Sequence, residues 1–99
     1  MLNINRQTEG NVLTVFLEGR LDTSTSPELE EALKDGLDDV EKLIFDIENL
    51  EYISSAGLRV LLSNHKKMAS KGGMVVKNPS DVVSEVFDVT GFADILNIE

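Results

Sequence analysis

Strand and helix periodicities alternate along this chain. They predict an α/β domain with a mixed β-sheet and helices packed on it, in the order β-β-α-β-α-β-α-β. Three observations carry that prediction. The N-terminal segment reads as two strands joined by a tight turn. After it, apolar runs of strand length alternate with stripes at three- and four-residue spacing, which implies parallel neighbours and right-handed crossovers. No linker, repeat or low-complexity stretch interrupts the 99 residues, so residues 1–99 are expected to form one domain.

Residues 2–7 alternate apolar and polar, the pattern of a half-buried edge strand. Glu9-Gly10-Asn11 is a turn signal, and Val12 to Leu17 is rich in β-branched and aromatic residues, completing a hairpin that Gly19 is expected to end. Residues 21–27 form a polar loop. Ser26 then reads as an N-cap with Pro27 at the first helical position. Leu29, Ala32, Leu33, Gly36 and Leu37 mark the inner face of that helix, and Asp38-Asp39 breaks it. Leu43 to Ile47 is a central strand, with Glu48 to Glu51 as a connection.

A helix is expected from Ala56, with Leu58, Leu61, Leu62, His65, Met68 and Ala69 inward, closing at Lys71-Gly72-Gly73. Met74 to Val76 is another buried strand. Asn78-Pro79-Ser80 opens a helix with Val82, Val83, Val86 and Phe87 inward and Gly91 at its end. Ile95 to Ile98 makes a short final strand.

The charge is distributed unevenly. The net value is −9, which disfavours nucleic acid and anionic lipid as partners. Residues 28–51 carry −8 and residues 78–99 carry −5, whereas residues 52–77 hold Arg59, Lys66, Lys67, Lys71 and Lys77 without one acid. The cationic stretch is therefore the helix that follows Ser54-Ser55. There are no cysteines, hence no disulfide and no thiolate site. No apolar run approaches the length of a membrane span and no leader pattern is read, so a cytoplasmic location is expected.

Enzymatic chemistry finds little support. The single histidine, His65, falls on the apolar face of a helix, where a satisfied, partly buried imidazole is expected, not a metal ligand. It lies ten residues beyond Ser55, roughly 15 Å along a helix, too far to serve as its base. No G-x-S-x-G elbow, phosphate-cradling glycine loop or calcium loop is present, so no catalytic residue, cofactor or metal site is assigned.

The chemistry that does fit is phosphate acceptance. Ser54 and Ser55 stand where a strand hands over to a helix, followed by the small pair Ala56-Gly57. A helix start offers free N–H groups and the positive end of the macrodipole. Either serine can also serve simply as the N-cap. A phosphate adds about −1.5 to −2 charges at neutral pH, which largely offsets the local cationic excess. Each anion–dipole contact contributes only about 0.3–1 kcal/mol, so the fold is expected to survive while the surface changes.

Three segments carry a family resemblance. They are Gly19-Arg20-Leu21-Asp22, Phe45 to Leu50, and Ile53-Ser54-Ser55-Ala56-Gly57-Leu58-Arg59-Val60-Leu61-Leu62. Together with Val89 to Leu96, they resemble the STAS domain of bacterial anti-sigma factor antagonists, over essentially the whole chain. The resemblance implies a protein that binds an anti-sigma factor serine kinase of the GHKL type when unphosphorylated. It releases that partner when phosphorylated and is reset by a PP2C-type phosphatase. It places the phosphoacceptor at Ser55, with Ser54 as competing acceptor because Ser54 replaces the usual preceding aspartate. Ala56 stands where serine or threonine is common. Asp22 and Thr23 match the neighbouring loop, and Ser54, Ala56, Gly57, Leu58 and Arg59 match the partner surface. Many relatives add a final helix after the position of Glu99, so Leu96 and Ile98 are expected to be less covered than usual. The family also suggests two other roles. One is a non-phosphorylated subunit on the cytoplasmic ATPase of a lipid transporter; the other is a regulator in a signalling assembly without a sigma factor.

Overall fold

The computed structural model describes residues 2–34 and 37–99. Strands β1 (Leu2–Glu9) and β2 (Val12–Leu21) form the hairpin, followed by helix α1 (Ser26–Leu33), strand β3 (Lys42–Ile53) and helix α2 (Ser55–Met68). Strand β4 (Met74–Lys77), helix α3 (Asp81–Thr90), a 3-10 turn at Phe92–Asp94 and strand β5 (Asn97–Ile98) complete the chain. The sheet runs β1-β2-β3-β4-β5 in space, with β1 and β2 antiparallel and every later pair parallel. The mixed sheet and the element order are as the sequence predicts.

One core joins sheet and helices. The strands contribute Leu13, Val15, Leu17, Leu43, Phe45 and Ile47, and the helices Leu29, Leu33, Leu58, Leu61, Met68, Val83 and Phe87. Ser80 caps α3 by accepting from Val83 N at 3.3 Å, and Gly91 ends it in the left-handed conformation at φ 82°. That conformation costs glycine little.

The departures from expectation have local causes. Gly19 does not end β2, and Glu48 to Glu51 is strand, not connection. The β2–β3 ladder slips between Phe16 and Glu18 and again between Gly19 and Arg20, each time with one extra residue on β3. Inward positions on β3 therefore change from Leu43, Phe45 and Ile47 to Leu50 and Ile53, a spacing of three that hides a strand from a period-two test. Gly19 supplies the φ of 102° at this irregularity.

Ser26 is the first helical residue, not the cap. Thr25 precedes it, and Pro27 takes the second position. The first helix ends at Leu33, so Leu37 is buried from the following loop, and Gly36 lies outside the described residues. In α2 the buried set is Gly57, Leu58, Val60, Leu61, Asn64 and Met68, whereas Leu62 and His65 are half-buried and Ala69 is exposed. The inward face is turned because α2 packs on α1 as well as on the sheet. His65 is partly buried as expected, but its Nδ1 is buried without a hydrogen-bond partner among the described residues. In α3, Val82 is exposed, and Val83 and Phe87 alone are fully inward. Leu96 is 4% exposed, since the 3-10 turn folds it back onto the core.

Candidate functional site

The site is built where two strand-to-helix junctions meet, at the C-terminal ends of parallel β2 and β3. That end of a parallel pair is where α/β proteins assemble sites, because the loops there are free to vary over a fixed scaffold. One hydrogen bond ties the two junctions together, from Ser54 N to Leu21 O at 2.9 Å.

The second junction separates the two serines by role. Ser54 is the N-cap of α2: its backbone is extended, its carbonyl accepts from Leu58 N at 2.9 Å, and its Oγ accepts from Gly57 N at 3.4 Å. Ser55 is the first helical residue and is exposed. The capping hydroxyl is half-buried and in use, and the next one faces outward.

Gly57 sets how close the helix start comes to the sheet. A Cβ there would stand 2.8 Å from Leu21 Cγ, 2.9 Å from Ile53 Cγ1 and 3.0 Å from Leu21 O. Real Cβ atoms do not approach so closely, so only glycine lets α2 begin against the ends of β2 and β3. Gly57 and Leu58, expected on the partner surface, instead point inward: Gly57 is buried and Leu58 is 4% exposed. Ala56 is half-buried and Arg59 exposed.

The first junction is a tight polar turn. Asp22 Oδ1 accepts from Ser24 N at 3.0 Å and Thr25 N at 3.1 Å. Thr25, buried at 4% exposure, donates its hydroxyl to Arg20 O at 2.8 Å and accepts from Asp22 N at 2.9 Å. Its 3.2 Å approach to Asp22 Oδ1 is secondary, because the hydroxyl has one proton. Ser26 Oγ donates to Asp22 O at 2.6 Å, starting α1 without a side-chain cap from Thr25. The Thr25 backbone N–H holds the Asp22 carboxyl below the usual carboxylate range, helped by the Thr25 hydroxyl and Ser24 N–H and opposed by desolvation. Thr23 is exposed at the tip.

Three members of this cluster escape a sequence reading: Thr25, and the pair Arg20 and Tyr52. The guanidinium of Arg20 lies 4.4 Å from the Tyr52 ring centroid, and its Nε is 3.8 Å from Asp22 Oδ2. Arg20 and Tyr52 are register partners across the parallel ladder, so the β2–β3 alignment was the signal that could have found them.

The cationic stretch is only partly free. Lys71 Nζ donates to Leu37 O at 2.7 Å and to Asp38 O at 3.2 Å, which fastens the end of α2 to the loop before β3. Arg59, Lys66 and Lys67 are exposed, and Lys77 is half-buried. Among the described residues no three His, Cys, Asp or Glu side chains converge as metal ligands, and no helix is long and apolar enough to cross a membrane.

The chain is thus a small α/β domain with an exposed hydroxyl, that of Ser55, at a strand-to-helix junction. The STAS domain profile matches residues 3–99, and the chain belongs to that family. It is 30% identical over 99 residues to the anti-sigma-B factor antagonist of Staphylococcus aureus (strain NCTC 8325 / PS 47), covering 98% of this chain and 92% of the relative. Its fold is similar to that of an anti-sigma factor antagonist from Mycobacterium paratuberculosis (TM-score 0.89, 22% identity, 99% of this chain and 85% of that one). It is also similar to the anti-sigma factor antagonist SpoIIAA in its unphosphorylated form (TM-score 0.82, 19% identity, 100% of this chain and 88% of that one).

Proposed function

We propose that this chain is an anti-sigma factor antagonist that binds an anti-sigma factor serine kinase while unphosphorylated and releases it once Ser55 carries a phosphate. One observation carries the choice of acceptor: Ser55 is exposed at the start of α2, whereas the neighbouring Ser54 is engaged as the cap. Transfer of the ATP γ-phosphoryl to Ser55 Oγ forms the O–P bond as the hydroxyl proton and ADP leave. The antagonist name carried by the relative supports the reading.

In this reading residues 1–99 act as one cytoplasmic STAS domain with no reaction of its own, and a PP2C-type phosphatase restores the free serine. Thr23, Ser55 and Arg59 supply exposed partner contacts, with Asp22, Ser54 and Ala56 at the half-buried rim. Gly57 and Leu58 act from beneath by fixing the helix against the strands.

The test begins with site-mapped mass spectrometry of the protein taken from its own cells across growth conditions. A single phosphate on Ser55 is the expected result. Binding to the co-purifying kinase should then be lost in Ser55→Asp and kept in Ser55→Ala. Protein that never carries phosphate under any condition, and that co-purifies with a transporter ATPase, would replace this reading with the passive-subunit one.

A further inference from the structure

We propose that Arg59 is the positioning residue for a phosphate on Ser55, pairing with it along one turn of α2. The inference rests on the assignment of Ser55 as acceptor and adds the partner that the phosphate finds within its own helix. Ser55 and Arg59 are both exposed and stand four residues apart in α2. Residues at that spacing lie about 5–6 Å apart at Cβ on one helix face. Long helical side chains lean toward the N-terminus, so a guanidinium at position 59 covers the turn that begins at Ser55. An acidic group one turn before a basic one is also the favourable order.

Four other cations, Arg20, Lys66, Lys67 and Lys71, are set aside by commitment or by distance. Arg20 is held between the Tyr52 ring and the Asp22 carboxylate. Lys71 is bound to the carbonyls of Leu37 and Asp38. Lys66 and Lys67 lie three turns further along, roughly 17 Å from Ser55 by helical rise. Arg59 borders the groove between α1 and α2, where Glu30, Glu31 and Lys34 stand on the other wall, yet Arg20–Asp22 is the one ion pair among the described residues. The guanidinium is thus uncommitted until a stronger anion arrives. A phosphate carries more charge than one carboxylate and matches the guanidinium fork with two oxygens.

Phosphorylation then alters the partner surface twice. It adds an anion at Ser55 and withdraws the guanidinium of Arg59 from whatever acceptor the partner offers it.

The test installs phosphoserine at position 55 during translation, so no kinase is needed, and follows the second phosphate ionisation by phosphorus NMR in moderate salt. Pairing with a cation favours the dianion, so Arg59→Ala should raise that pKa by about 0.3 of a unit. Arg59→Lys should fall between the two, having the charge without the fork. Lys67→Ala should move it by less than about 0.1, since its charge is screened at that distance. No rise in Arg59→Ala, or an equal rise in Lys67→Ala, would overturn the pairing. Because the phosphate is supplied in translation, this outcome is independent of whether cells phosphorylate Ser55. Conversely, a kinase that still binds Ser55→Asp would remove the functional reading and leave the pairing intact.

Discussion

At the residue scale the two serines share a junction but not a function, and substitution separates them. Ser54→Ala removes the cap of α2, which typically costs about 1 kcal/mol within a range of about 0.5–2. The 3.4 Å cap bond is long, so the low end is expected, read as a lower urea midpoint at constant slope. Ser55→Ala should change stability by less than about 0.5 kcal/mol, because the side chain is exposed. A Ser55→Ala loss larger than that of Ser54→Ala would show that the capping roles are reversed. Gly57→Ala tests the close approach. A methyl 2.8 Å from Leu21 Cγ and 2.9 Å from Ile53 Cγ1 must push α2 away from the strand ends, at about 1–3 kcal/mol. Kinase affinity should fall as well, although the side chain never reaches the surface. These assignments were partly legible beforehand. A serine at a helix start announces a cap, but two adjacent serines offer two caps, and only the extended backbone of Ser54 decides between them. Inward placement of Leu58 was legible from the helical stripe, whereas Gly57 carries no side chain to signal the contact it permits.

At the element scale the site depends on two loops held at a common height by the β2–β3 ladder. The β2–α1 loop is fastened through Asp22, whose carboxylate gathers the N–H groups of Ser24 and Thr25. Its pKa is lowered in the folded protein, so the unfolded chain binds the proton more readily. The sign follows: this contribution is fully present above the ordinary carboxylate pKa of about 3.9 and is lost as pH falls through the depressed folded value. Asp22→Asn should therefore flatten the part of the acid-unfolding curve below about pH 4 while leaving the stability above pH 6 free of a new slope. A wild-type and mutant pair with parallel curves in acid would show that the carboxylate does not fasten this loop. Stretches with one clear period, such as β1 and the first part of β2, were readable from sequence, and Gly91 marked the end of α3. The second half of β3 was not, because two slips in the ladder change its inward spacing from two to three. Leu50 and Ile53 look like loop residues under strict alternation, and the Arg20–Tyr52 stack that depends on those slips could not be placed without them.

At the scale of the whole molecule the arrangement is a basic helix on an acidic body. Residues 28–51 and 78–99 are strongly acidic, and the charge of residues 52–77 is wholly cationic. Such a division lets one modification change association without changing the fold, provided the modified atom carries little of the stability. Ser55 meets that condition: it is exposed, and the cap belongs to its neighbour. A phosphate there meets the positive end of α2, a contact of about 0.3–1 kcal/mol, small against a domain stability of about 5–15 kcal/mol. Urea unfolding of the phosphorylated and unmodified proteins should thus give the same slope, which reports the surface exposed on unfolding. The unfolding free energies should differ by no more than about 1 kcal/mol, with the phosphorylated form equal or slightly more stable at low salt. Raising the salt should erase that small difference, since Ser55 lies in water-exposed surface where screening is effective. A lower slope on phosphorylation would mean that α2 frays or the native state opens, and release of the partner would then be a local unfolding event. An unchanged slope would mean that the native state stays as compact as before, which is what the proposed switch at the surface of Ser55 and Arg59 requires.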